Sequence, residues 1–221
     1  MAAKREKPTR RKPVPSALPI RTVLTGLRRD YPDACCSLDY RNALELLVAT
    51  VLSAQCTDER VNLVTKELFR RYRSANDYAT SPEGELEELI RSTGFFNNKA
   101  KSLRGMGRVV VEKFGGEIPG TMEELLTLPG VARKTANVVL GNAFQIASGI
   151  TVDTHVFRLS RRMGLSREKT PEKVEQKLME LVPRKDWILF GHAMIQHGRA
   201  VCKARKPDCE LCRFRKSCPK D

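Results

Sequence analysis

Apolar residues recur at intervals of three and four along most of the chain, a spacing that predicts helices. The two clearest runs cover residues 44–52 and 61–72. Further runs reach the last third of the chain, at 86–90, 100–114, 136–143, 174–182 and 187–198. Punctuating residues such as Pro129-Gly130 separate them, and no segment sustains the period of two that a half-buried strand requires. The pattern predicts an all-α protein built from short helices.

The ends of the chain depart from this pattern. Residues 1–14 are rich in Lys, Arg and Pro and hold no apolar stretch of the kind found in a secretory signal. They are therefore expected to form a flexible basic arm. A polar joint containing Gly149, within residues 147–150, marks the expected boundary between two helical domains. The final residues are irregular and rich in cysteine.

Composition and charge narrow the class of protein. The 221 residues are 41% hydrophobic, which is enough for a core and excludes a disordered tail protein, and no stretch predicts a membrane span. Forty Lys and Arg face twenty-six Asp and Glu, a formal charge of +14 that favours a nucleic acid partner over a merely solvated basic surface. Seven cysteines, an odd number, favour a reducing compartment, and we expect a cytoplasmic protein associated with the bacterial nucleoid.

The segment from Leu128 to Lys134 predicts a helix-hairpin-helix, because a Pro-Gly turn separates two helical runs. The free N–H groups of such a turn suit a DNA phosphate, although a purely structural hairpin fits the spacing equally well. Lys134 falls in the first turn of the second helix, where the helix macrodipole opposes an ammonium and favours the neutral amine. A nucleophile gains from that position, and the alternative is a lysine that only binds phosphate.

Asp153 stands directly before another helical run. Asp is a favoured N-cap and stabilises a helix by about 1 kcal/mol there, so capping alone would account for the residue. The carboxylate is also expected to face Lys134, where it would stabilise positive charge or move a proton. The two roles are compatible.

Four cysteines crowd into the last twenty residues, separated by six, two and five positions: Cys202, Cys209, Cys212 and Cys218. Ligand chemistry alone leaves a zinc ion and a [4Fe-4S] cluster equally open. Basic residues surround all four, so the bound metal would stiffen a loop that presents cations to phosphates.

The chain resembles the endonuclease III family of DNA glycosylases in three features: the hairpin, the Val152-Asp153-Thr154-His155 segment and the cysteine spacing. The resemblance implies two all-α domains with DNA bound between them, a [4Fe-4S] cluster on the four cysteines, and a monomer. Residues 38–147 would form a six-helix barrel, and residues 15–37 with 148–221 would form the iron-sulfur cluster domain.

The resemblance also implies residue roles. Lys134 aligns with the family's nucleophile and Asp153 with its essential carboxylate. Gln55 lies in the loop that fills the space left by an extruded nucleotide, and Phe95, where leucine is common in the family, lies in the loop that wedges into the opposite strand. The remaining expected DNA contacts are Lys99, Gly130, Ala132 and Arg133. Ala132 replaces a more common glycine, which leaves the hairpin intact if its φ is negative.

The implied activity is that of a bifunctional glycosylase and apurinic/apyrimidinic lyase, which removes damaged bases from duplex DNA and cleaves abasic sites through a lysine Schiff base. Oxidised pyrimidines are the expected lesions. Two alternatives are a monofunctional enzyme of the adenine glycosylase type, which lacks the hairpin lysine, and a non-catalytic DNA-binding module.

Overall fold

The computed structural model describes residues 17–219, so the predicted basic arm at 1–14 lies outside the described residues. Within that range the chain is helical and contains no strand, which confirms the all-α prediction. The α-helices are α1 (Ile20–Asp30), α2 (Ala43–Leu52), α3 (Asp58–Arg71), α4 (Ala75–Ala79), α5 (Glu85–Ile90), α6 (Phe96–Phe114), α7 (Met122–Leu125), α8 (Arg133–Ala143), α9 (Thr154–Arg162), α10 (Pro171–Leu181) and α11 (Trp187–Ala200). Short 3-10 turns cover Arg91–Thr93, Arg184–Asp186 and Cys209–Leu211.

Every predicted apolar run falls on a helix, with only Tyr72 and Val182 one position past the ends of α3 and α10, but two helices were not predicted from the pattern. Helix α1 buries Val23, Leu24 and Leu27 at helical spacing, yet it starts after Pro19 without a side-chain cap. Helix α4 has five residues, too few for a period to emerge, and depends on a capping box formed by Ser74 and Asp77.

Buried apolar side chains form two clusters. The first runs from Leu38 to Leu140 and joins the helices from α2 to α8. The second unites Leu18 and α1 with residues from Ile150 to Phe214, and so brings the start of the described chain against its end. The clusters meet along α8, which packs on α2 and belongs to the first cluster.

Polar bonds join the two clusters across a cleft. His192 Nε2 on α11 lies 2.8 Å from Asn142 Oδ1, and Arg199 Nη2, also on α11, donates to Asp58 Oδ2 at 2.7 Å. These bonds fix α11 against α3 and the end of α8, and therefore set the width of the cleft. Among residues 17–219, no helix is both long and apolar enough to cross a bilayer.

Candidate active site

Helices α7 and α8 form the predicted hairpin. Leu128 and Val131 are buried in the first cluster and hold the intervening turn in place. Gly130 has φ +80°, and a Cβ there would lie 2.8 Å from Ser102 on α6, so both backbone and space require glycine. Ala132 has φ −97°, which accommodates its methyl group without strain. Because Ala132 offers no side-chain cap, the first-turn N–H groups of α8 are available to an anion.

Lys134, the second residue of α8, and Asp153, directly before α9, line the same cleft between the two clusters. The structure thus brings the two candidate catalytic residues together from segments that are nineteen positions apart in the chain. Asp153 is the N-cap of α9, and its Oδ1 accepts a hydrogen bond from Val156 N at 2.8 Å. Lys134 is exposed, so its Nζ can be reached from the cleft.

The rest of the cleft is polar on the side of α11 and the end of α2. Its lining includes Thr50, Ser53, His192, Gln196 and Arg199. Burial lowers the pKa of His192, which bonds Asn142 and therefore serves the contact between the clusters. Sequence reasoning gave no role to these residues, because only the fold places them beside Lys134.

Two loops next to the hairpin carry exposed residues in the left-handed region. Gln55, between α2 and α3, has φ +54°, and Phe95, directly before α6, has φ +50° and ψ +29°. Phe95 is 62% exposed, unusual for a large aromatic side chain. A bulky side chain at positive φ costs about 1–2 kcal/mol, so the surrounding structure must impose both conformations. These are the two residues that were expected to enter the DNA stack.

Lys99 occupies a different environment from the one predicted. The side chain was expected to contact DNA, but Lys99 is only 5% exposed. Its ammonium donates to the carbonyl oxygens of Leu52 and Thr93, each at 2.8 Å. Burial lowers the pKa of Lys99, and the two carbonyls partly offset the desolvation of the ammonium. Lys99 therefore lies beneath the two loops with its ammonium bonded to backbone, which argues against the predicted DNA contact.

The four C-terminal cysteines line one cavity of about 170 Å³ next to α9 and α11. Within residues 17–219, no three His, Cys, Asp or Glu side chains converge closely enough to hold a single metal ion. Four thiols on one cavity form an all-sulfur donor set, of a kind that iron-sulfur clusters and zinc ions both take.

Two side chains that sequence reasoning left unassigned contact the cysteine sulfurs. Arg162 Nη1 donates to Cys202 Sγ at 3.4 Å and to the Lys203 carbonyl at 2.7 Å. His197 Nε2 lies 3.6 Å from Cys212 Sγ, while its Nδ1 lies 3.1 Å from the Tyr31 hydroxyl. These contacts order the cavity wall and place one cationic donor beside a sulfur.

Comparison with known proteins agrees with this geometry. Residues 48–184 match the family model of the HhH-GPD superfamily of base excision DNA repair proteins. An endonuclease III from Synechocystis sp. is 59% identical over 197 residues, which are 89% of this chain and 90% of the relative. The chain belongs to the endonuclease III family. Two solved structures superpose with a TM-score of 0.87 at 46% identity, covering 90% of this chain and 93% of the other. One is a non-covalent endonuclease III–DNA complex, and the other is a trapped covalent endonuclease III–DNA intermediate with an estranged adenine.

In this endonuclease III family member, the Arg133 guanidinium pairs with a carboxylate, and the DNA contact of Arg133 stays a prediction. Its Nε donates to Glu175 Oε2 at 2.8 Å and its Nη2 to Oε1 at 3.2 Å, so the guanidinium is directed at α10. Asn137, one turn along α8, donates to the same carboxylate at 2.8 Å. Because Glu175 is only 4% exposed, these bonds attach the start of α8 firmly to the second cluster. Arg133 thus anchors the helix that carries Lys134.

Proposed function

We propose that this chain is a bifunctional DNA glycosylase and apurinic/apyrimidinic lyase that acts on duplex DNA containing damaged bases or abasic sites. Oxidised pyrimidines are the proposed lesions. The observation that carries the proposal is the placement of the Lys134 amine and the Asp153 carboxylate on one cleft, beside an uncapped helix N-terminus. The trapped covalent DNA complex of a protein with the same fold supports the same chemistry.

DNA binding precedes the chemistry and exposes the sugar. A stacked base shields C1′, so the damaged nucleotide leaves the helix at a cost of a few kcal/mol. We assign the backbone N–H groups near Gly130 and Ala132 to a phosphate close to the lesion. Gln55 and Phe95, both exposed, then occupy the stack that the nucleotide has left.

Lys134 is assigned the role of nucleophile. DNA over the cleft removes water from this exposed side chain and brings the everted sugar to its Nζ. The Nζ lone pair attacks C1′, the bond from C1′ to the base breaks, and the base leaves with the electron pair and takes up a proton. Breakage of the C1′–O4′ bond, with a proton passing from nitrogen to O4′, gives the Schiff base.

Strand cleavage follows because the protonated Schiff base, an iminium, withdraws electrons from the sugar. It acidifies C2′, a C2′ proton is removed, and the electrons expel the 3′ phosphate as the C3′–O3′ bond breaks. Hydrolysis of the imine by water releases Lys134. Asp153 is assigned to stabilise positive charge on the sugar and to carry protons. Its bond to Val156 N fixes the rotamer in which it does so.

We assign a [4Fe-4S] cluster to Cys202, Cys209, Cys212 and Cys218, whose distribution around one cavity fits that group. When bound, the cluster would cross-link an irregular segment and so hold its Lys and Arg side chains toward phosphates. Base excision and β-elimination are redox-neutral overall, so the steps above do not require an electron carrier.

The two apolar clusters support a two-domain organisation of a barrel at residues 38–147 and a cluster domain at 15–37 with 148–221. We further propose that the protein acts as a monomer in the bacterial cytoplasm.

The test is borohydride trapping on a duplex with one abasic site. Lys134→Gln should lose the trapped adduct and strand cleavage and retain binding, whereas Lys113→Gln, an exposed lysine in the last turn of α6, should behave as wild type. A Lys134→Gln protein that forms adduct at the wild-type rate would remove Lys134 from this role. Base release by the wild-type protein without strand cleavage would indicate the monofunctional alternative, and absence of both activities in cluster-loaded wild type would indicate a DNA-binding module.

A further inference from the structure

The buried ammonium of Lys99 joins two segments that are distant in sequence. Lys99 lies in the first turn of α6, and its two carbonyl partners are Leu52, 47 positions earlier, and Thr93, six positions earlier. Thr93, like Lys99, is buried, at 2% exposed. A cation held in this way contributes nothing to a DNA-facing surface, so its role must be internal.

Both partner carbonyls lie at helix ends. Leu52 is the last residue of α2, and Thr93 is the last residue of the 3-10 turn before α6. Carbonyls at helix C-termini lack partners within the helix and carry the negative end of the macrodipole. One ammonium therefore satisfies two helix ends and fixes their separation.

Each of these helix ends leads directly into a loop with a left-handed residue at its tip. Gln55 follows Leu52 by three positions, and Phe95 follows Thr93 by two. Both tips have positive φ and exposed side chains. Left-handed backbone at non-glycine residues persists only where the surroundings impose it, and Lys99 binds the base of both loops.

We propose that Lys99 is a positioning residue that holds the Gln55 and Phe95 loops at a fixed separation, so that both side chains enter the same gap in damaged DNA. This inference rests on the proposed insertion of Gln55 and Phe95. Because the loops are already ordered in the free protein, DNA binding does not have to pay the entropy of ordering them. The resulting gain in affinity is confined to DNA in which a gap opens. Lys99 thus contributes to selectivity for lesions and leaves the general attraction to phosphates unchanged.

The experiment compares Lys99→Met, which keeps the length and removes the donors, with Arg104→Met as the matched control. Arg104 is also a half-buried cation on α6 that binds carbonyl oxygens, those of Ser81 and Pro82, together with Glu87, away from the two loops. Lys99→Gln, which retains an N–H donor, is the second variant if Lys99→Met does not fold. Affinity is measured for a duplex with a tetrahydrofuran abasic analogue and for the undamaged duplex, over a range of salt concentrations.

We expect Lys99→Met to lower the ratio of the two affinities about tenfold, the loss of roughly one strong buried hydrogen bond, while binding to undamaged DNA stays unchanged. Hydrogen exchange of the free protein should quicken at residues 53–57 and 93–97 and remain unchanged in the hairpin. The Arg104→Met protein should lose stability and keep the affinity ratio.

Other results would overturn the inference. If Lys99 contacted a phosphate directly, Lys99→Met would weaken binding to both duplexes equally and reduce the slope of log K against log salt by about 0.9. If Lys99 only stabilised the fold, Lys99→Met would lose stability and keep the wild-type affinity ratio, as expected for Arg104→Met. Phe95→Ala tests the insertion role itself. An unchanged affinity ratio in Phe95→Ala would refute the insertion. A reduced ratio in Phe95→Ala together with wild-type behaviour of Lys99→Met would refute only the role of Lys99.

Discussion

Glu175 on α10 is predicted to be a main determinant of both stability and Lys134 reactivity. Its buried carboxylate accepts three bonds from α8, two from Arg133 and one from Asn137. Glu175→Gln removes the charge and turns an amide N–H₂ toward at least one of these donors. The bond to buried Asn137 contributes the larger share, because a hydrogen bond to a charged group is worth about 1.5–3 kcal/mol. Arg133 is 41% exposed and regains water when its partner is lost, so its ion pair adds less.

The expected loss in the free energy of unfolding is therefore about 2–3 kcal/mol, measured by urea denaturation of the cluster-loaded protein. The matched control is Glu180→Gln on the same helix, where an exposed carboxylate pairs with Lys177 and the expected change is below about 0.5 kcal/mol. A double-mutant cycle with Arg133→Met should give a coupling energy of at least about 0.5 kcal/mol.

The activity arm of the experiment tests the link to catalysis. If the bonds to Glu175 set the position of the α8 N-terminus, loosening them displaces Lys134, and reactions of this kind lose about 100-fold for a displacement of 1 Å. We expect at least about a tenfold slower single-turnover formation of the borohydride-trapped adduct. If Glu175→Gln were as stable as Glu180→Gln, the predicted contribution of Glu175 to stability would be refuted. If Glu175→Gln lost stability but formed adduct at the wild-type rate, the predicted link to Lys134 would be refuted.

Three further predictions concern other sites. Asp153→Asn retains a good N-cap, so α9 should keep its stability while single-turnover base excision slows at least about tenfold; an unchanged rate would limit Asp153 to capping. The Arg104 guanidinium lowers the pKa of Glu87 from 4.5 to about 2, so this pair stabilises the fold above pH 4.5 and the effect is lost as pH falls toward 2. The difference in unfolding free energy between wild type and Glu87→Gln should be roughly 2 kcal/mol at pH 7 and vanish near pH 2, and a gap independent of pH would contradict the assignment. Arg162→Met removes a donor from Cys202 Sγ, so the proposed [4Fe-4S] cluster should be lost to a chelator several-fold faster. Equal rates would show that only the bonds of Arg162 to backbone carbonyls matter.

Much of the fold follows from local patterns. Long helices such as α3 and α11 have enough turns for an apolar period to emerge, and Thr57 and Asp153 cap α3 and α9 as the chemistry of short polar side chains predicts. Helix α1 has apolar residues at helical spacing but no side-chain cap to mark its start, and its apolar face packs on residues from the C-terminal third of the chain, including Phe214. Its burial is a long-range property that no local window contains.

The candidate site likewise combines features that are local in sequence with features that depend on distant segments. The hairpin and the position of Lys134 at a helix start could be predicted from neighbouring residues, because turn chemistry is local. The environments of Lys99 and Arg133 could not, since each depends on an acceptor from another segment: the Leu52 carbonyl in one case and Glu175 in the other. A basic residue inside a DNA-binding motif is therefore weak evidence for a phosphate contact until its own partners are known.

Positive φ alone does not distinguish Gln55 and Phe95, the residues proposed to insert into DNA, from other exposed residues. In the described part of the chain, positive φ also occurs at the exposed residues Gln145 and Lys206. Gln145 follows α8 and donates to the Asn142 carbonyl, a local bond that fits a helix end, and Lys206 lies among the cysteines. Gln55 and Phe95 differ because their two loops leave helix ends joined by one buried ammonium. Because that ammonium lies below the surface, DNA phosphates cannot compete with the two carbonyls for it.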